Sequence, residues 1–335
     1  MAIEDFMKRT RSLFCRILAT ALVSISVVTI PSVVDARPVI SITKDEDWKT
    51  APLPQGVNKK QIDALVAAAM GPRNNRIRVR SVLITINDKI VYERYHPIDN
   101  KDSILDTFSV SKSFVATVIG MLIDDGKLSL DQPAPVAAWS NPNDPRSAIT
   151  IRNLLHMSSG LTWKEDYSAG DSSTIAMLFA PVASDYAIAL PLEFKPGTQF
   201  EYNSGNSAIL MRIITDTLGG TPQAEAYIKK RLLDPLGIKK VVYQRDLSGR
   251  IVGFMGINMT ARDQARFGLL YLRNGMWGKK KVISPEWVKF SSTPSPTFPG
   301  YAGHWWTQYL LGTNASPGDF TALGYYGQYV TVSRS

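Results

Sequence analysis

The sequence predicts an α+β domain in which helices pack on an antiparallel sheet, with a mainly helical insertion. Three observations support this fold class. Residues 81–95 form two strand-like runs around Asn87-Asp88, a pattern typical of a β-hairpin. From residue 108 to 123, apolar residues recur in pairs four apart, as on a deeply buried helix. A βαβ alternation and a G-x-G motif are both absent from the sequence, which argues against a nucleotide-binding parallel sheet.

Composition excludes several classes of protein. The chain has 335 residues, of which 44% are hydrophobic and 20% charged, so it can bury a core and is not globally disordered. A single cysteine excludes a disulfide scaffold, and no apolar run after residue 31 is long enough for a polytopic membrane protein. The net charge of +9 lies in short basic clusters without interleaved aromatic residues. We therefore predict no nucleic-acid partner, and a basic surface facing an anionic cell envelope.

The N-terminus has the three parts of an export signal. Basic residues precede an uncharged apolar stretch at 17–30, and small residues follow up to Ala36. We predict that residues 1–36 are a signal peptide cleaved after Ala36, which gives a periplasmic or secreted protein without stable membrane insertion. The alternative is a retained membrane anchor, although fourteen apolar residues span a bilayer poorly. Cys15 would leave with the signal, so thiol catalysis and cysteine zinc sites are excluded from the mature chain.

The rest of the chain is interpreted as one domain with an insertion. A lead-in and an N-terminal helix at about 58–70 occupy residues 37–74, and the main domain follows at 75–335. Within it, residues 127–200 are rich in Pro, Ser and Asp and contain one predicted short helix at about 151–157, so we interpret them as an insertion that frames a site. Three more helices are predicted: one at 206–218, one that begins at Thr221, and one from Thr260 to near Gly275. Two more strands are predicted at 305–311 and 320–332.

Metal sites and the familiar triad motifs find no support in the sequence. H-E-x-x-H and G-x-S-x-G do not occur, and His96, His156 and His304 are far apart in the chain. We therefore predict no metal site, no other cofactor and no nucleophile-elbow hydrolase. His156, inside the short predicted helix, is interpreted as a structural histidine rather than a catalytic base.

The motif with catalytic potential is Ser-x-x-Lys, which occurs twice. Ser41…Lys44 lies in the lead-in and is interpreted as chance, whereas Ser109…Lys112 begins the most apolar helix. One helical turn would place the ammonium beside the hydroxyl, and the helix N-terminus would supply N–H groups for an oxyanion. Burial would lower the pKa of the lysine, so that its neutral amine could take the serine proton. The alternative is an ordinary surface lysine near a helix start.

Two further motifs could complete such a site. The turn at 202–206 has small polar residues before an apolar helix, and its Tyr202 could project into a cleft and share protons with a Ser/Lys pair. Its alternative is a tyrosine half-buried at a strand end. Residues 324–328 form a glycine-flanked segment, interpreted as a strand that could line the site and donate an N–H. Its alternative is a β-bulge.

These three motifs, in this order, resemble the serine β-lactamase and D,D-peptidase superfamily, and above all its class C-like branch of esterases, aminopeptidases and 6-aminohexanoate-dimer hydrolases. The likeness runs from about residue 75 to the last residue and implies the β-lactamase/transpeptidase-like fold. The segments that carry it outside the three motifs lie at 80–84, 93–95, 125–128, 151–161, 196–198, 234–237 and 259–270.

The resemblance implies an acyl-enzyme mechanism on a small-molecule or short-peptide substrate. Ser109 would attack an amide or ester carbonyl, Lys112 would act as the base, and Tyr202 would relay the proton to the leaving group. The backbone N–H groups of Ser109 and Gln328 would form the oxyanion hole. Further substrate contacts are predicted from Ser204, Tyr325 and Gly327.

Two departures from the family pattern bear on the substrate. The second motif is Tyr-Asn-Ser where the family usually has Tyr-x-Asn, a variant similar to the esterase and nylon-oligomer side. In the third motif Tyr325 stands where the family has Lys or His, so a phenol replaces the cation that would bind a substrate carboxylate. We therefore expect neutral esters or amides rather than carboxylate-bearing β-lactams. The alternatives are a D,D-carboxypeptidase or β-lactamase, and a truncated, non-catalytic envelope protein.

The C-terminus gives one expectation about stability. In the family, the third motif is followed by at least one more strand and a C-terminal helix, whereas here residues 329–332 are followed only by Ser-Arg-Ser. An open sheet edge would make the protein marginally stable. A cooperative thermal transition well above about 65 °C, the top of the usual mesophile range, would contradict this expectation.

Overall fold

The computed structural model describes residues 48–71, 79–168, 170–311 and 315–334. The predicted signal peptide, its cleavage after Ala36 and the Ser41…Lys44 motif lie outside the described residues. Within these ranges, the helices are all too short or too polar to cross a membrane.

The described elements alternate between helices and short strands. In chain order the helices are α1 Lys59–Met70, α2 Val110–Asp124, α3 Ile151–Leu155, α4 Ser173–Phe179, α5 Ala183–Ala189, α6 Ser204–Leu218, α7 Thr221–Ile228, α8 Asp234–Leu236, α9 Ala261–Leu272, α10 Pro285–Ser292 and α11 Gln308–Leu311. The strands are β1 Ser81–Ile86, β2 Lys89–Tyr95, β3 Val242–Tyr243, β4 Ile257–Asn258, β5 Met276–Trp277, β6 Lys280–Lys281, β7 Trp306–Thr307, β8 Phe320–Gly324 and β9 Gln328–Val332. Two 3₁₀ turns (Ala137–Trp139 and Pro145–Ala148) and a π-helical turn (Lys229–Leu233) complete the path.

All the strand ladders in the described ranges are antiparallel, which confirms the predicted α+β class. The sheet is divided into small pieces: β1 pairs with β2, β3 with β4, β5 with β6, and β7-β8-β9 form a three-stranded sheet. The predicted hairpin has the predicted bounds. Its turn residues Asn87 and Asp88 have φ values of 49° and 64°, the left-handed conformation that a tight hairpin turn requires and that Asn and Asp tolerate. Helix α9 packs on both β1 and β9.

Helix α2 is the central element of the core. Each residue from Val110 to Leu122 is buried, and the helix packs against α6, β8 and β4. Gly120 allows the closest approach, because a Cβ there would lie 2.4 Å from the indole of Trp287. A helix surrounded by other elements on every side cannot shift without repacking the core, so its first turn is held in place.

The insertion contains more helix than the single short helix predicted. Besides α3 it holds α4 and α5, each seven residues long. The side chain of Ser172 caps α4 by accepting a hydrogen bond from the Ile175 N–H at 3.0 Å. The Trp139 indole donates to the carbonyl of Ile188 at 3.1 Å and so joins the first part of the insertion to α5. Helices this short depend on tertiary contacts, which is why periodicity alone did not reveal them.

Two of the predicted strands are wrong in extent. The strand predicted at 305–311 is only two residues long and continues directly into α11. The strand predicted at 320–332 is a hairpin in which Gly324 lies opposite Gln328. Residues 325–327 connect its arms, with φ of 58° at Tyr326 and 78° at Gly327. Tyrosine rarely adopts the left-handed backbone conformation, so a tyrosine at this position does not predict a turn.

Candidate active site

The Ser-x-x-Lys motif begins α2 with its two side chains in contact. Phe108 has φ of 45°, which turns the chain sharply before Ser109. The hydroxyl of Ser109 makes no capping hydrogen bond to the helix, so it is free for other partners. Lys112 Nζ lies 2.9 Å from Ser109 Oγ, and it donates to the carbonyl of Phe254 at 2.9 Å. The contact therefore depends on one helical turn and one carbonyl brought in from a distant loop.

Lys112 is an amine in an apolar, aromatic surrounding. Its side chain is among the largest fully buried ones, and its Nζ lies 5.2 Å from the ring centroid of Tyr202 and 5.8 Å from that of Phe254. Burial lowers its pKa to about 8, against the opposing effect of the Glu165 charge. At pH 7 about a tenth of the lysine is thus the neutral amine, which is a base.

Tyr202 approaches the same hydroxyl from the start of α6. Asn203 caps that helix with its side chain, and the Tyr202 ring stacks on Trp306 with centroids 5.3 Å apart. Burial raises the pKa of Tyr202, and the negative charge of Glu165 raises it further, whereas its hydrogen bond with the Ser109 side chain lowers it. The phenol is therefore protonated at neutral pH. The Ser109 hydroxyl thus has both Lys112 and Tyr202 as neighbours.

The β8–β9 hairpin packs against the residues that precede α2. A Cβ on Gly324 would lie 2.4 Å from the carbonyl oxygen of Thr107 and 3.3 Å from Phe108 Cβ, so only glycine allows this approach. The Phe108 ring meets Tyr325 edge-on with centroids 6.1 Å apart. Gln328 pairs with Gly324 across the hairpin, so its backbone lies at the same end of the hairpin as Gly324. The third motif is thereby brought beside the first.

The three predicted substrate-contact residues are placed differently. Ser204 is fully buried, and its hydroxyl donates to Glu165 Oε1 at 2.6 Å, so it serves an internal hydrogen bond. Tyr325 is half-buried and stacks on Tyr167 with centroids 4.7 Å apart. Gly327 is the last residue of the hairpin connection. Of these three residues, Tyr325 and Gly327 therefore lie at the hairpin connection, whereas Ser204 is inside the protein.

The residue that sequence reasoning missed is Glu165, in the insertion. Its carboxylate accepts hydrogen bonds from Trp163 Nε1 at 2.5 Å, the Tyr167 hydroxyl at 2.5 Å, and both the backbone N–H and the hydroxyl of Ser204 at 3.0 and 2.6 Å. Nothing in the local sequence marks Glu165 out, because its importance comes from contact with a residue 39 positions away.

The buried histidines make structural contacts. His304 Nδ1 donates to the carbonyl of Leu155 at 2.9 Å, and its Nε2 accepts from the Ser207 hydroxyl at 2.9 Å. Burial lowers the pKa of His304 to about 3. His156 stacks on Phe290, and burial lowers its pKa to about 4. These contacts favour the structural interpretation of His156. In the part of the chain that the structure describes, no group of His, Cys, Asp and Glu is placed to hold a metal ion.

Comparison with known sequences decides the family. The sequence model of the Beta-lactamase family matches residues 62–335. The chain belongs to the beta-lactamase family. The superfamily resemblance predicted from the three motifs is therefore confirmed.

Individual relatives within the beta-lactamase family are distant. The chain is 27% identical over 247 residues to the 6-aminohexanoate-dimer hydrolase of Paenarthrobacter ureafaciens, an alignment that covers 66% of this chain and 60% of the hydrolase. It is 30% identical over 200 residues to penicillin-binding protein 4 of Amycolatopsis lactamdurans, covering 58% of this chain and 46% of that protein. The chain thus spans about half to three fifths of the length of these two relatives.

Solved structures agree on the beta-lactamase fold. A 6-aminohexanoate-dimer hydrolase candidate from Bacillus anthracis superposes with a TM-score of 0.70 over 86% of this chain and 79% of its own, at 21% identity. A class C beta-lactamase mutant superposes with a TM-score of 0.52 over 72% of this chain and 73% of its own, at 19% identity. At these identities the likeness concerns the fold alone.

Proposed function

We propose that this protein is a serine hydrolase that cleaves neutral esters or amides through an acyl-enzyme on Ser109. The observation that carries the proposal is the 2.9 Å contact between Ser109 Oγ and Lys112 Nζ, made by a lysine that burial leaves partly neutral near pH 8. A serine hydroxyl is a weak nucleophile unless an adjacent base removes its proton. Lys112 is that base, and Tyr202 is the proton relay.

The reaction starts from the contacts that the Ser109 hydroxyl makes with Lys112 and Tyr202. The neutral amine of Lys112 accepts the Ser109 proton while Oγ bonds to the substrate carbonyl carbon. Tyr202 then gives its proton to the leaving oxygen or nitrogen, and recovers one from Lys112. Water, activated with the help of Tyr202, then attacks the acyl carbon. The carboxylic acid leaves, and Ser109 Oγ regains the proton that the water gives up. The backbone N–H groups of Ser109 and Gln328 hold the oxyanion, and loss of one such donor would lower turnover by about 10²–10³-fold.

The aromatic wall beside the site supports a neutral acyl group. Phe108, Tyr167 and Tyr325 pack together there through ring contacts, and Tyr325 offers a phenol where a carboxylate-binding cation would stand. The sequence similarity to a 6-aminohexanoate-dimer hydrolase supports an amide or ester substrate. The similarity to a penicillin-binding protein favours, as a second candidate, peptidoglycan-like or β-lactam substrates.

The nucleophile is tested by intact mass spectrometry before and after treatment with a fluorophosphonate probe. The wild-type protein is expected to gain one adduct, and Ser109→Ala none. The matched control is Ser129→Ala, an exposed serine beyond the far end of α2, which is expected to label like the wild type. An adduct on soluble, folded Ser109→Ala would refute the assignment. The untreated mass of protein exported from its host also tests the proposed cleavage after Ala36.

Substrate class is tested by comparing a short-chain ester, an amide, a D-Ala-D-Ala peptide and a cephalosporin. We expect the ester or amide to have the highest kcat/KM, because the site offers a phenol rather than a cation to the acyl group. Comparable turnover of the cephalosporin would contradict this choice of substrate class. Preferred turnover of the D-Ala-D-Ala peptide would favour the second candidate.

A further inference from the structure

We propose that Glu165 is a positioning residue of the active site, whose carboxylate holds the Tyr202 turn and the Tyr167 ring in place and whose charge acts on the catalytic Lys112. The inference rests on the proposed function, since it concerns the same Ser109–Lys112 pair. Glu165 lies in the insertion together with Trp163 and Tyr167, while Ser204, the third residue that it binds, belongs to α6.

Four hydrogen bonds converge on the carboxylate of Glu165. Two donors, Trp163 Nε1 and the Ser204 N–H, reach Oε2, and the hydroxyls of Tyr167 and Ser204 reach Oε1. Two carboxylate oxygens offer about four acceptor positions, so the capacity of the group is filled. The carboxylate of Glu165 therefore ties Trp163, Tyr167 and Ser204 to one point.

The same four hydrogen bonds fix two parts of the site. Ser204 is the first residue of α6 and follows Tyr202 by two positions, so the bond from its N–H anchors the turn that carries the phenol. A negative charge is also favourable at this helix N-terminus. Tyr167 stacks on Tyr325 and so continues the hydrogen-bonded unit into the aromatic wall. Glu165 therefore connects the proton relay to the wall of the acyl site.

The charge of Glu165 also reaches the catalytic groups. It raises the pKa of Lys112, against the larger effect of burial, and it raises the pKa of Tyr202 in addition to burial. The other titratable groups that interact electrostatically with Glu165 or Lys112 are Tyr167, Glu201, Tyr301 and His304. His304 is neutral above about pH 3, so among the residues that the structure describes Glu165 is the charge that acts on Lys112 at neutral pH.

Glu165→Gln separates the charge from the hydrogen bonds. The glutamine oxygen can take the place of Oε2 and accept from Trp163 Nε1 and the Ser204 N–H. Its amide group then takes the place of Oε1 and donates to the hydroxyls of Tyr167 and Ser204, because a hydroxyl can accept as well as donate. The four contacts survive while the charge is lost. Without that charge the pKa of Lys112 falls, so its neutral form persists to lower pH.

The expected result is a displaced pH profile. In the wild type, kcat/KM for an ester should rise with pH through an acid limb near pH 8, where Lys112 loses its proton. Glu165→Gln should move this limb to lower pH. The matched control is Asp171→Asn, an exposed carboxylate of the same segment paired with Lys164, which should leave the limb in place. An unmoved limb in Glu165→Gln would overturn the electrostatic part of the proposal.

Glu165→Ala tests the positioning part. This variant removes all four hydrogen bonds, so Tyr202 would be misplaced but not lost. We expect kcat to fall about tenfold. Labelling of Ser109 should be slower but still complete. Wild-type kcat in folded Glu165→Ala would overturn this part. If Glu165→Ala does not fold, kcat of Glu165→Gln decides, since it retains the contacts and should stay near the wild-type maximum.

Fluorophosphonate labelling of the wild type distinguishes failure of the proposed function from failure of this inference. An unlabelled Ser109 refutes the proposed function itself, whereas a labelled Ser109 leaves only the role of Glu165 at issue.

Discussion

Lys112→Met is expected to lower kcat for an ester substrate about 10³–10⁴-fold, the range that loss of a general base in contact with its nucleophile produces. Methionine has a similar unbranched shape and fills the same space, so the geometry of α2 should persist. Ser109 would then retain its oxyanion donors and Tyr202, but its hydroxyl would have no base to accept its proton. The measurement is steady-state ester hydrolysis together with the rate of fluorophosphonate labelling.

The same variant is expected to be at least as stable as the wild type at pH 7. Below about pH 8 the buried Lys112 is mostly charged, and burying that charge destabilises the folded protein. An apolar side chain at the same place carries no such cost. The control is Lys127→Met, an exposed lysine just beyond the same helix, which should alter neither activity nor melting temperature appreciably. A fully active Lys112→Met would contradict the role of the lysine as base, and a strongly destabilised one would show that its bond to Phe254 outweighs the cost of burial.

Gly324→Ala is expected to lower kcat about 10²-fold through a displacement of the hairpin. The added methyl would lie 2.4 Å from the carbonyl oxygen of Thr107 and 2.9 Å from Gln328 Cβ, and both neighbours are too close for ordinary contact. The backbone must therefore move, and a shift of about 1 Å in a catalytic donor can cost this much activity. The donor that would move is the Gln328 N–H, because Gln328 pairs with Gly324 across the hairpin.

A matched glycine is available as a control for this effect. Gly71 also has a negative φ, and a Cβ there would meet its nearest atom at 3.4 Å, an ordinary contact distance. Gly71→Ala should thus leave kcat within about twofold of wild type, because it lies outside the site and needs no rearrangement. Equal activities of the two alanine variants would show that the close packing of β8 on Thr107 is not needed for catalysis.

The elements with strong local signals could be predicted from sequence. The β1–β2 hairpin has runs of apolar, largely β-branched residues on both arms and Asn-Asp at its turn, and the structure gives it the predicted bounds. Helix α2 has a continuous apolar pattern, and its Ser-x-x-Lys pair meets because residues three apart on a helix share a face. Thr260 caps α9 through the N–H of Asp263 as its spacing predicts.

The features that escaped prediction depend on contacts between distant parts of the chain. Glu165 looks like any acidic residue in a polar loop, and only folding brings Ser204 to it. The turn at Tyr326 adopts a conformation that its side chain disfavours, so packing against Phe108 rather than local preference determines it. The carbonyl of Phe254 that holds Lys112 belongs to a loop with no motif of its own.

The burial of α2 links catalytic competence to folding as a whole. Because all its residues from Val110 to Leu122 are internal, the helix cannot unwind without opening the core, and the Ser109–Lys112 contact has no independent local melting transition. Activity and tertiary structure should therefore disappear at the same denaturant concentration. By contrast, Tyr325 and Tyr326 at the hairpin connection lie outside the closely packed core, and Tyr326 is 45% exposed. Evolution can consequently alter the choice of substrate at these positions without disturbing the chemistry, which makes them the natural sites for a library aimed at new specificities.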